Sequence, residues 1–204
     1  MIDLDILRLT GVLAAFWMLV GVLFVSRKYP GYSHIDQVMS ELGAVGRPTF
    51  RIHPIVNNFP LAALFIIFGI SIVVGFSTNW HMVILGSLTA LHGVCHIATG
   101  AFPCDEDLGV PTPSGTQIIH NVAGSVMLVT LLIAASLSAF SSSVVAPAWF
   151  RGFSLGCLVV SLVFGVLMAK SLSTGHKIGL YQRVSYGALV LWVAVFSGVS
   201  YEHA

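Results

Sequence analysis

The chain has 204 residues, 56% of them hydrophobic and only 8% charged, with a mean hydropathy of +0.93 and a formal net charge of +1. Water-surrounded domains carry about a quarter charged residues, so this composition excludes an ordinary soluble fold. A near-zero net charge without a basic, aromatic-interleaved patch excludes nucleic acid as a partner, and an odd cysteine count (Cys95, Cys104, Cys157) argues against a disulfide framework.

The Asp, Glu, Lys and Arg residues lie near the termini or between long apolar runs. That is the pattern of an integral membrane protein, because a charge at bilayer depth costs several kcal/mol. Crossing the hydrocarbon core takes about 20 apolar residues. Six runs meet that length, at Leu7–Val25, Ile55–Phe76, His81–Phe102, Ile118–Phe140, Trp149–Ala169 and Leu180–Ser200. They are continuously apolar rather than alternating, which predicts helices and not a barrel. The N-terminus lacks the basic region of a signal peptide, so the first run reads as a retained span. The expected fold is all-α: a polytopic bundle of six transmembrane helices forming a single domain over residues 1–204. Gly152-x-x-x-Gly156 in the fifth run is a candidate close helix contact.

Lys and Arg placement predicts the topology. Loops one and five with their flanks carry seven of them (Arg27, Lys28, Arg47, Arg51, Lys170, Lys177, Arg183), and the other side carries Arg8 and Arg151. The positive-inside rule then puts loops one, three and five in the cytoplasm and both termini outside, in a multi-pass protein of the inner (plasma) membrane. Trp80 and Trp149 fall at the outer interface, and loop three is discordant in carrying Asp105, Glu106 and Asp107 without Lys or Arg. Loops two and four (S-T-N-W and S-S-S-V-V-A-P-A) are short and bland, so the chemistry is expected on the opposite face.

Loop one has structure of its own. Ser33 with Asp36 resembles a capping box, Ile35, Val38, Met39 and Leu42 recur at helical spacing, and Gly43 is a natural stop. A short amphipathic helix is expected there. It is either an interfacial helix with a solvated polar side or a lid that turns Ser40 and Glu41 inward.

Several segments are similar to a known family. Pro30-Gly31-Tyr32-Ser33, Ser40-Glu41-Leu42-Gly43-Ala44, Phe102-Pro103-Cys104-Asp105 with His120-Asn121, and Gly179-Leu180-Tyr181-Gln182-Arg183 resemble motifs of the bacterial and archaeal membrane family catalogued as domain of unknown function 998. The chain departs from that pattern at Glu41, where Asp is frequent, and at Cys104. The resemblance implies the membrane fold and no activity.

The densest run of ionisable groups extends from His92 to Asn121. His92 and His96 are spaced i, i+4 on one helix face, about 5.4 Å apart along the axis, which is how a helix offers two imidazoles to one metal. The returning fourth span brings His120 to the depth of His96, and Asp105 stands at the mouth as a ligand or an orienting carboxylate. Interhelical hydrogen bonding, metal or haem ligation and proton relay all remain open for these histidines. Arg183 at the mouth of the last span is positioned to clamp a phosphate, to pair with Asp105, or to snorkel as a positive-inside anchor. Asn57, Asn58 and Asn121 need hydrogen-bond partners within the spans, and His53 and His176 lie on the same side.

These residues support a membrane-embedded enzyme acting on a lipid or other amphiphile. In that reading His92, His96 and His120 hold zinc or another divalent metal, with Glu41, Ser40 and Asp105 as catalytic groups and Arg183, Asn57, Asn121 and His176 as substrate contacts. A non-enzymatic lipid-binding, transport or partner-organising protein is the rival, and a b-type haem carrier is a third reading.

Overall fold

The computed structural model describes residues 4–107, 111–141 and 146–202. Residues 108–110 of loop three and 142–145 of loop four lie outside that set. Six helical segments are long and apolar enough to cross a membrane: Leu4–Ser26, Pro54–Gly75, Trp80–Ala101, Gly115–Ala139, Ala148–Ser171 and Ile178–Glu202. No strand occurs among the described residues. The six expected spans are present, each with its ends displaced by only a few residues. The first is made of α1 (Leu4–Arg8) and α2 (Thr10–Ser26); the others contain α3 (Phe59–Gly75), α4 (Trp80–Ala101), α5 (Gly115–Ala139), α6 (Ala148–Ser171) and α7 (Ile178–Glu202).

Local chemistry sets several helix ends. Asn79 accepts the His81 and Met82 amides at the start of α4, and Ser114 accepts the Gln117 amide at the start of α5. Each satisfies backbone donors that the first helical turn leaves open. The second span opens on a π turn, Pro54–Asn58, closed by Phe59 N–H donating to the Pro54 carbonyl. Pro60 then lacks the N–H that would engage the Val56 carbonyl. The Trp17 indole takes that acceptor instead, at 2.8 Å, and ties α2 to the widened turn.

The core lies between α2, α3, α4, α5, α6 and α7, with Phe65, Phe68, Leu131, Leu189, Trp192 and Val193 fully buried. Phe150, Trp192 and Phe196 stack with centroids 5.2–6.2 Å apart. Polar ties reinforce the helix contacts, including Trp192 Nε1 donating to Ser154 at 2.9 Å and Ser185 donating to the Ser161 carbonyl at 2.8 Å. Glycine permits a close approach between α3 and α4. A Cβ at Gly69 would stand 2.5 Å from the Gly86 carbonyl oxygen, and one at Gly93 would stand 2.9 Å from the Ala62 carbonyl. The Gly152 and Gly156 pair makes no such contact, because both positions face open space. Small residues matter here through the neighbour they face, and the motif spacing alone does not supply one.

Arg8 near the N-terminus donates to the Ser200 carbonyl near the C-terminus and lies over the Phe76 ring at the end of the second span. Both terminal segments therefore share one end of the bundle, and loops one, three and five meet at the other.

Candidate functional site

Loop one covers that second end and is stitched on two sides. Toward α7, Leu180 N–H donates to the Ile35 carbonyl at 2.8 Å, Lys177 N–H to the Asp36 carboxylate at 2.9 Å, and Met39 N–H to the Gln182 side chain at 2.7 Å. Toward loop three, Val45 N–H donates to the Cys104 carbonyl at 2.9 Å and Arg47 to the Glu106 carbonyl at 2.8 Å.

Arg183 is the principal clamp. Its Nη1 donates to the His34, Gln37 and Gly179 carbonyls, each at 2.8 Å, and its Nη2 donates to the Tyr32 hydroxyl at 2.5 Å. Burial pushes the Tyr32 phenol up to about 12, even though the guanidinium pulls it the other way. Arg183, expected as a phosphate clamp or a partner of Asp105, has both Nη atoms engaged by loop one and by the Gly179 carbonyl of its own helix. The same bonds explain the shape of loop one. The Ser33–Asp36 cap forms, with Asp36 N–H donating to Ser33 at 3.1 Å. The carbonyls of His34, Ile35 and Gln37 then accept from α7 and the Arg183 guanidinium, so no continuous helix propagates through them. The short helix is a 3-10 turn confined to Met39–Gly43.

The residues expected to be catalytic are held in place by the same network. Glu41 accepts from Val38 N–H at 3.0 Å and from Gln37 Nε2 at 2.8 Å, which caps that turn. Asp105 accepts from both the amide and the hydroxyl of Ser114, at 2.9 and 2.5 Å, and those bonds hold its carboxyl below the usual carboxylate range. It fastens loop three to the start of α5. Ser40 shares a hydrogen bond with Cys104, whose thiol burial pushes up to about 11.

Among the expected metal ligands, His92 and His96 do share a face, but both present Nε2 to one hydroxyl, that of Tyr186, at 2.8 and 3.1 Å. His92 Nδ1 meets the Met127 carbonyl at 3.0 Å, and Phe65 stacks on His96 with centroids 5.5 Å apart. His120 turns Nδ1 to the Phe102 carbonyl at 2.9 Å. Among the described residues, no group of three His, Cys, Asp or Glu side chains is arranged to hold a metal ion. The i, i+4 spacing put two imidazoles on one face, and a tyrosine from α7 occupies the position between them. Of the expected substrate contacts, His176 and Asn121 are exposed and Asn57 is buried beside Gly21 of α2.

Beneath loop one is a cavity of about 320 Å³. Its lining includes Ser40, His53, Asn58, Thr99 and His120, with Arg51 and the 67%-exposed Ile55 toward the surface. Ser40 and His120 were expected at a site; Thr99 and Arg51 were not singled out. Thr99 had a signal, since it continues the His92, His96 face at i+7. Burial, and to a smaller extent the neighbouring His120, push the His53 imidazole down to about 4. The cavity therefore presents the neutral His53 imidazole, the His120 ring, an amide and two hydroxyls, with Arg51 as a cation at the rim and no carboxylate among its lining residues.

Residues 12–199 match the model of the family described as protein of unknown function (DUF998). The chain belongs to this family. The match spans all six membrane helices, apart from the first residues of the first and the last of the sixth. No curated protein and no solved structure matches the chain significantly. Membership in DUF998 thus carries the architecture, and a function has to be argued from the cavity.

Proposed function

We propose that this DUF998 protein binds an amphiphile of the bilayer, with the polar head held in the cavity beneath loop one. The observation that carries the reading is the cavity itself: a hydrogen-bonding interior at the end of a membrane bundle, with an exposed apolar rim at Ile55. Ligand sites combine mostly apolar walls with a few placed polar groups, and this one does so where a lipid head group would lie. The Lys and Arg surplus on loops one and five supports a cytoplasmic position for that face, in the plasma membrane. Protein purified in mild detergent, extracted and analysed by mass spectrometry should carry an amphiphile that the Ser40→Phe variant, with the cavity filled, does not. Equal retention by both forms refutes the reading.

A second reading is catalysis on that amphiphile, favoured by His53 and His120 bordering one cavity close enough for their charges to interact. Histidine is the side chain most often used to move a proton in catalysis. Turnover of the co-purifying amphiphile that His53→Gln and His120→Gln each abolish supports this reading. Turnover unaffected by either variant sinks it.

A further inference from the structure

Two buried hydrogen-bond acceptors behind the cavity wall have no donor, and the bonds around them identify which atoms these are. The Met127 carbonyl can only accept, so His92 Nδ1 carries the proton in their 3.0 Å contact. Neutral His92 then offers a bare Nε2, to which the Tyr186 hydroxyl donates at 2.8 Å. With that hydroxyl proton committed, the 3.1 Å contact from His96 to Tyr186 is completed by His96 Nε2–H as donor. His96 Nδ1 is left as a bare lone pair, buried and without a partner among the described residues. The same logic fixes Asn58. Thr99 donates its hydroxyl to the His96 carbonyl at 3.1 Å, so it accepts from Asn58 Nδ2 at 2.9 Å. Asn58 Oδ1 is therefore a second buried acceptor with no donor. Asn58 and Thr99 line the cavity, and His96 lies one turn before Thr99 on α4.

A buried acceptor left unpaired is costly, and natural folds keep few of them. We propose that these atoms recognise the ligand: the cavity takes a neutral amphiphile whose head-group hydroxyl donates a hydrogen bond to this pair of acceptors, at Asn58 Oδ1 on the cavity lining or at His96 Nδ1 behind it. His92 and Tyr186 are positioning residues that hold His96 in the tautomer with Nδ1 bare. An anionic head group would meet Arg51 at the rim, but inward it would bring further acceptors to the two that the wall already leaves unpaired. Arg183, the cation expected to receive an anion, is spent on loop one. The inference rests on the cavity being the amphiphile site and adds the class of head group.

The test uses the full chain in nanodiscs and needs no variant for its main arm. Dioleoylglycerol, its 3-O-methyl ether, phosphatidic acid and free glycerol are compared for binding, while ¹⁵N-histidine spectra report the ring nitrogens. The expected result is that dioleoylglycerol binds at least about tenfold more tightly than the methyl ether, which lacks only the donor, and more tightly than phosphatidic acid. The unliganded spectrum shows His96 protonated at Nε2, and ligand shifts its Nδ1 signal. Asn58→Leu removes the preference for the hydroxyl and Asn58→Asp, which keeps an acceptor, retains it. Equal binding of the diacylglycerol and its ether, or tighter binding of phosphatidic acid, overturns the inference and leaves the amphiphile site standing. A spectrum with His96 protonated at Nδ1 does the same. Glycerol binding as tightly as dioleoylglycerol keeps the hydroxyl chemistry but overturns the lipid as its source, and binding of none of the four overturns the inference outright.

Discussion

Replacing Arg183 with methionine should release loop one. The guanidinium makes four hydrogen bonds, three to carbonyls and one to Tyr32, and three of the four acceptors belong to loop one. Hydrogen bonds to charged groups contribute about 1.5–3 kcal/mol each, but the carbonyls regain water when the loop lifts, so the terms do not sum. Losing the equivalent of one or two such bonds gives about 2–4 kcal/mol, which at 1.4 kcal/mol per decade makes the opened loop about 30-fold to about 700-fold more populated. Methionine preserves much of the stem packing, so the change isolates the donors. Arg183→Lys should recover only part of the loss, because an ammonium lacks the planar fork that serves several acceptors together. Hydrogen–deuterium exchange of the segment 32–43 reads the opening directly, with α5 as an internal control. Unchanged protection in loop one of the methionine variant would refute the clamp.

Three further outcomes follow from specific contacts. Gly69→Ala forces a Cβ toward the Gly86 carbonyl and should lower stability by about 1–3 kcal/mol, whereas Gly156→Ala, facing open space, should stay within about 0.5 kcal/mol; thermal melting in detergent compares them. Tyr186→Phe removes the hydroxyl shared by His92 and His96 and should cost about 1–3 kcal/mol, with the ¹⁵N-histidine spectrum losing its fixed His96 tautomer. His53 has a folded value of about 4, below its unfolded value near 6.5. Its contribution is therefore present above pH 6.5 and lost as pH falls toward 4, by about 3 kcal/mol at most. The difference in stability between wild type and His53→Gln, measured across that window in detergent, should follow this curve; a pH-independent difference would mean that the imidazole is not held neutral.

The six spans were legible because bilayer thickness imposes a length and an apolar composition that each run meets by itself. The convergence of loops one, three and five on one end follows from that count. The fate of each polar group was less legible, and for a physical reason. A helical spacing places His92 and His96 on a common face, but what stands opposite that face is set by helix packing. Tyr186, 90 residues away from His96 in sequence, supplies the answer. Arg183 had three plausible partners in the sequence, a phosphate, Asp105 or the interface, and it took backbone carbonyls, which every residue offers and no motif marks.

The bonds that these polar groups make bear on the site. At the loop end of this bundle, charged groups are engaged by nearby loop and helix-end partners. Asp105 and Glu41, expected as catalytic groups, and Arg183, expected as a substrate contact, all make local structural bonds. The informative groups are then the ones that this pairing leaves over. In this chain they include Asn58 Oδ1 and His96 Nδ1, acceptors stranded beside a cavity after their neighbours have paired. A residue that appears functional from its type alone is, in such a bundle, more often consumed by the fold, and the deficit that remains after pairing indicates what the cavity was shaped to receive.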